Sequence, residues 1–289
     1  DTLIQAAVDA RIPPPRKPWL ERLSVGYDLM KLNQRTDYNL VLGVVDDSDA
    51  QSQHVDHFHP DESGNIVYYG AGGSGKTTAL RSLAIAASIT PRSGPVQIYG
   101  LDFAGGGLSM LEPLVNVGAI ISGDDDERIA RLMVMLDRLL DERASRFTAV
   151  RADSLRVYRE LPGKADEARI LVLGAFRSEY DSGLQRQATF ARFQRLVSEG
   201  RAFGIHFAVT ADRSAVIPSS MQGAFQHRIV LRMPDEDGYV ALGVPKDVLN
   251  AASPPGRCMN AKSPNELQLA VLGQDPSPLG QAREIELLA

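Results

Sequence analysis

The stretch that decides the fold is NIVYYGAGGSGKTTALRSLAIAAS, residues 65–88. Ile66-Val67-Tyr68-Tyr69 is a short, continuous apolar run of the kind that forms a buried strand. Gly70-Ala71-Gly72-Gly73-Ser74-Gly75-Lys76-Thr77 follows, and it fits the spacing G-x-x-x-x-G-K-[ST]. From Gly75 to Ser88 the small and branched apolar residues recur at helical spacing. A strand, a glycine loop and a helix in that order form the context this motif requires. Glycines let backbone N–H groups turn inward and approach phosphate oxygens closely, and the helix N-terminus adds positive potential at the same place. The motif assigns Gly70, Gly72, Gly73, Ser74, Gly75, Lys76, Thr77 and Thr78 to nucleotide binding. Lys76 reaches the β- and γ-phosphates, and the Thr77 hydroxyl is the Mg²⁺ ligand. The expected cofactors are ATP and Mg²⁺.

The same alternation continues outward. Strands are expected over 38–46, 96–103, 170–173, 206–210, 228–233 and 267–272. Helices are expected over 75–88, 127–146 and 184–200. The long helix carries Ile129, Leu132, Met133, Leu136, Leu139 and Leu140 as its apolar stripe. Asp124-Asp125-Asp126 ahead of it suits a helix cap and the helix dipole. Strands alternating with helices predict an α/β fold with a mainly parallel central sheet flanked by helices. Three segments are expected: a lead-in over 1–37, the main domain over 38–273, and a linker over 274–289. The lead-in reads as a helix from Thr2 to Arg11, then a stiff Pro13-Pro14-Pro15 and Pro18 stretch, with Trp19 and Leu20 pinning it to the body. Residues 46–63 read as polar turns, so His54, His57 and His59 read as solvated loop histidines rather than metal ligands.

Composition narrows the function classes. The chain has 289 residues, 44% hydrophobic and 23% charged, an ordinary globular balance. The net charge of −5 argues against a surface that coats nucleic acid. One cysteine, Cys258, excludes an internal disulfide framework. No apolar run approaches the ~20 residues of a membrane span. The chain opens on Asp1 rather than Met, which suggests a piece of a longer protein.

A hydrolytic phosphate-loop enzyme commonly carries an acid at the tip of a neighbouring apolar strand. The candidate strand Ile170-Leu171-Val172-Leu173 runs into Gly174-Ala175-Phe176 without one. Glu179 and Asp181 lie too far along, and Asp102, which ends an adjacent strand, reads equally well as a turn residue.

Several blocks together resemble the FtsK/SpoIIIE-type P-loop ATPases, and among these the EccC/EssC motors of type VII (ESX) secretion. They are PPPRKPWL (13–20), YGAGGSGKTTALRSLA (69–84), LDFAGGGLSMLEPLVNVGAIISGDDDERI (101–129), GAFRSEY (174–180), VTADRSAVIPSSMQGAFQHRIVLRMPDEDGYVALGVP (209–245) and SPPGRCM (253–259). The resemblance implies a RecA-like sheet in an internal, second ATPase domain of a membrane-anchored motor, often hexameric. It implies a cytoplasmic domain of an inner-membrane protein, working beside other ATPase domains, other secretion-machine subunits and small helical effector dimers. It makes Thr210 the polar residue that senses the γ-phosphate. It sets Arg213 and Arg228 near the nucleotide or the neighbouring subunit. Family members usually have an Asp and several more residues before GAFR. The site is therefore either degenerate or short of a loop between Leu173 and Gly174, and the well-matched flanks favour the loop. Two other functions stay open: a DNA translocase domain, and a non-hydrolysing docking module with bound nucleotide.

Overall fold

The computed structural model describes residues 10, 20–32, 36–89, 94–103, 105–175, 184–273 and 275–289. The expected helix over Thr2–Arg11 apart from residue 10, and Pro13–Pro15, Pro18, Trp19, Glu179 and Asp181, lie outside the described residues. Ten strands occur among the described residues: β1 (Leu40–Asp47), β2 (Ser52–Phe58), β3 (Ile66–Tyr69), β4 (Val96–Asp102), β5 (Val117–Ser122), β6 (Arg169–Ala175), β7 (Ile205–Ala211), β8 (His227–Leu231), β9 (Arg257–Asn260) and β10 (Ser263–Leu269). They form one sheet in the order β2-β1-β10-β9-β8-β3-β7-β6-β4-β5. The six strands from β8 to β5 are parallel. β9, β10, β1 and β2 extend the sheet antiparallel. Four longer helices flank it: α1 (Lys76–Ser88), α2 (Asp126–Ala149), α3 (Leu184–Glu199) and α4 (Pro278–Leu288).

Alternation along β3 explains the layering. Successive strand side chains point to opposite faces. Ile66 and Tyr68 join Leu80, Leu83, Ile85, Leu171 and Leu173 in the core that buries α1. Val67 and Tyr69 join Ile129, Met133, Leu136, Leu196 and Phe207 in the core beneath α2 and α3. A parallel sheet covered on both faces needs such continuous apolar runs.

The structure corrects several expectations. Residues 52–58, expected as part of a polar turn region, pair with β1 as strand β2 and carry His54 and His57. Leu20 is exposed, so it does not pin the lead-in; the buried Leu23 and Leu29 do. Within the segment 274–289, residues 278–288 form α4, which buries Ile285 and Gln281. β5 and β9 were not foreseen. Asp125 is the N-cap of α2, and its carboxylate accepts from Arg128 N at 3.0 Å.

Candidate nucleotide-binding site

Two neighbouring strands hold the glycine loop from below. Gly70 N donates to Ala211 O at 3.1 Å and Ala71 N to Arg232 O at 2.8 Å. Gly73 and Gly75 take φ of 71° and 110°, a backbone region that side chains resist. A Cβ on Gly70 would lie 2.5 Å from Ser74 Oγ. Gly72, Gly73 and Gly75 N–H groups make no backbone hydrogen bond among the described residues, so they are available to an anion at the start of α1.

Lys76 Nζ has three hydrogens and three acceptors: Gly70 O at 2.5 Å, Ala71 O at 2.9 Å and Asp212 Oδ1 at 2.7 Å. Thr77 and Thr78 begin α1 beside it, and Thr78 Oγ1 accepts from Arg81 at 3.0 Å. Ala71, Gly72, Gly73, Gly75, Lys76, Thr77, Thr78 and Asp212 border a cavity of about 840 Å³, whose lining does not include Gly70 or Ser74, within the ~300–1,000 Å³ usual for small-molecule sites. The donor set fits a magnesium nucleotide: free loop N–H groups and a lysine for phosphate, and a threonine hydroxyl for the metal.

Much of the remaining cavity wall comes from distant segments. Val25 and Gly26, Pro255 and Gly256, Leu269 and Val271, and Pro276 line it. Buried Arg257 builds this wall. It donates to Leu23 O and Ser24 O at 3.1 Å each, to Gln268 Oε1 at 2.8 Å and to Glu266 Oε1 at 2.5 Å. The lead-in is thereby fastened to β9 and β10. Leu29 N to Val271 O and Val271 N to Tyr27 O, both 2.9 Å, continue the attachment. Sequence reasoning missed these residues, since no local motif links positions more than 200 apart. The SPPGRCM block was the one available signal.

The other candidates separate. Thr210, near the end of β7, lines the cavity. Arg213 is exposed and absent from the lining, one residue beyond Asp212. Arg228 lies at the start of β8, paired with Val67, whereas the cavity opens at the carboxyl ends of the strands. Arg228 is absent from the cavity lining. Asp102 does not line the cavity. Its Oδ2 accepts from Leu108 N at 2.7 Å, closing the turn through Gly105-Gly106-Gly107. That turn touches the site, because a Cβ on Gly107 would lie 2.8 Å from Thr77 Cγ2.

β6 is longer than expected. Its register runs unbroken through Gly174, opposite Leu101 and Val209, to Ala175, opposite Thr210. No irregularity marks the Leu173–Gly174 junction, and none of the described residues at the strand tip is an acid.

Comparison with known proteins agrees with this geometry. The FtsK/SpoIIIE family profile matches residues 32–249. The ESX-1 secretion system protein EccCb1 of Mycobacterium tuberculosis is 26% identical over 261 residues, 84% of this chain and 42% of that protein. The ESX-4 secretion system protein EccC4 of the same organism is 32% identical over 174 residues, 60% of this chain and 14% of that protein. The chain thus spans less than half the length of both relatives. Among solved structures, EssC (ATPases 2 and 3) from Geobacillus thermodenitrificans superposes with a TM-score of 0.77 at 21% identity, covering 96% of this chain and 52% of that one. The cytoplasmic domain of the Thermomonospora curvata type VII secretion ATPase EccC gives 0.78 at 23% identity, covering 95% and 34%. The fold is that of a RecA-like P-loop ATPase. With three quarters of its length inside the family profile and its phosphate loop in place, the chain belongs to the FtsK/SpoIIIE family.

Proposed function

We propose that this chain is an ATP-binding domain of a type VII secretion motor. It binds Mg-ATP through Gly70, Gly72, Gly73, Ser74, Gly75, Lys76, Thr77 and Thr78, and couples that binding to recognition and export of small helical effector proteins. It works beside further ATPase domains and other secretion-machine subunits, as the cytoplasmic part of an inner-membrane protein in a hexameric assembly. The observation that carries the nucleotide reading is Lys76 with Thr77 at the floor of a cavity bordered by free loop N–H groups. The ESX relatives support the secretion setting. One neighbour, Thermomonospora curvata EccC (ATPases 2 and 3), is known in complex with a signal sequence peptide.

Within this site Lys76 leaves its carbonyl acceptors to meet phosphate, the glycine loop holds the phosphate oxygens, and Thr210 reports their presence. Thr77 would hold the Mg²⁺, which neutralises phosphate charge. Arg213 and Arg228, both exposed, are assigned to the neighbouring subunit's side. The experiment measures ATP affinity by calorimetry and ATP turnover separately, for wild type and Lys76→Ala. The substitution should cost about tenfold or more in affinity, the scale of a charge-assisted hydrogen bond, with the fold intact. Unchanged affinity would falsify the phosphate-loop assignment.

Gly174 at the tip of β6 favours a second reading, a docking module in which nucleotide is bound and not hydrolysed. Binding without turnover by wild type selects it.

A further inference from the structure

We propose that Asp212 supplies the carboxylate that the tip of β6 lacks, serving as the acceptor for magnesium-bound water at the phosphate end of the site. The inference rests on the nucleotide reading above. Cavity-lining acids among the described residues are Asp212 and Asp275. Asp275 sits with Pro276 and Ser277 in the segment leading to α4, and its Oδ1 accepts from Ser277 N at 2.9 Å. Asp102 is outside the lining and committed to Leu108 N.

Asp212 meets the requirements of position. It follows Ala211, the last residue of β7, and β7 pairs directly with β6 in register through Ala175–Thr210. Asp212 therefore stands on the strand next to β6, two residues beyond the Thr210 that pairs with Ala175, the last residue of β6. It reaches Lys76 Nζ at 2.7 Å, so it stands within a side chain's length of the phosphates that Lys76 must meet. The Asp212 side chain is 76% exposed toward the cavity and solvent. It is not locked by packing. When Lys76 turns to phosphate, the Asp212 carboxylate loses that partner and faces water beside the metal site. A carboxylate accepting from metal-bound water is the second layer of contacts that strengthens metal binding.

The test separates metal dependence from nucleotide binding itself. ATP affinity is measured by calorimetry in excess EDTA and in excess Mg²⁺ for wild type, Asp212→Asn and Lys76→Ala. Asp212→Asn removes the charge and keeps the shape, and thermal melting verifies that it folds. The wild-type gain in affinity on adding Mg²⁺ should shrink about tenfold in Asp212→Asn, while affinity in EDTA stays equal or rises because Lys76 is released. An undiminished Mg²⁺ gain in Asp212→Asn would overturn the proposal and leave Asp212 as a lysine partner alone. A wild type that binds ATP with no Mg²⁺ gain would overturn it too, with the nucleotide reading intact. A wild type that binds no ATP would overturn both readings.

Discussion

Gly75 shows how a single position ties backbone geometry to the site. Its φ of 110° is outside the range L side chains adopt, and a Cβ there would lie 2.8 Å from Gly256 N. Gly75→Ala should destabilise the fold by about 1–3 kcal/mol and weaken ATP binding, read by urea denaturation and calorimetry. The buried cluster at the opposite end of the sheet obeys a different rule. Asp37, nearly inaccessible, pairs with Arg159 and, at 3.1 Å, with Arg169, which also holds Asp61 at 2.7 Å. Burial pushes the Asp61 carboxyl up, but the hydrogen bonds and charge of Arg169 outweigh it and leave it below its usual range. Removing one partner from a buried ionic group leaves a charge uncompensated. Asp37→Ala should therefore cost about 3–5 kcal/mol, measured by equilibrium unfolding.

Among the secondary-structure elements, α2 carries an arrangement that looks unfavourable in isolation. Asp137 and Asp141 stand four residues apart on its surface, where like charges repel. Arg195 of α3 resolves this by reaching both, at 2.7 and 2.6 Å. The two carboxylates hold the Arg195 guanidinium charged. The cap Asp125 is worth less than a buried contact but is easier to isolate: Asp125→Ala should cost ~1 kcal/mol. Helix α4 depends on Ile285, fully buried in the core beneath α1. Ile285→Ala should cost about 2–5 kcal/mol and raise hydrogen exchange in α4 more than in the parallel strands.

Across the whole molecule, two buried histidines set the acid response. His206 is enclosed between Arg169 at 2.9 Å and Gly64 O at 2.7 Å. Burial and the Arg169 charge hold it neutral, with a pKa near 3. Burial and the charge of Lys262 lower His227 to about 4. Both values lie below the unfolded value, so the unfolded chain binds more protons at intermediate pH. Stability is therefore fully present above pH ~6.5 and falls as pH drops toward 4 and below, by up to about 1.4 kcal/mol per pH unit for each histidine. Urea denaturation at pH 7, 6, 5 and 4.5 should show this slope, and His206→Gln should flatten it. The secretion and DNA-translocase readings differ at this same scale. Under the secretion reading, duplex DNA affinity stays weak at low salt; tight binding with a steep salt dependence would support the translocase.

Eight adjacent residues, Gly70 to Thr77, carry the phosphate-loop motif legibly, because the backbone conformation and the helix dipole it depends on are local. The buried parallel strands β3, β4, β7 and β8 were legible for a related reason: both faces are covered, so apolar residues dominate them, and β3 is wholly apolar. β2 was not legible, since Gln53, His54, Asp56 and His57 leave no apolar run, and only pairing with β1 makes it a strand. The C-terminal segment read as linker because α4 buries just Ile285 and Gln281. The lead-in's place on β9 and β10 depends on Arg257 bonding carbonyls 233 and 234 residues away. Periodicity and motif spacing record what neighbours in the chain must do. The distant segments of the cavity wall, the position of Arg228 at the start of β8, and the meeting of Asp212 with Lys76 arise from long-range contacts, which the order of residues along the chain does not encode in any local pattern.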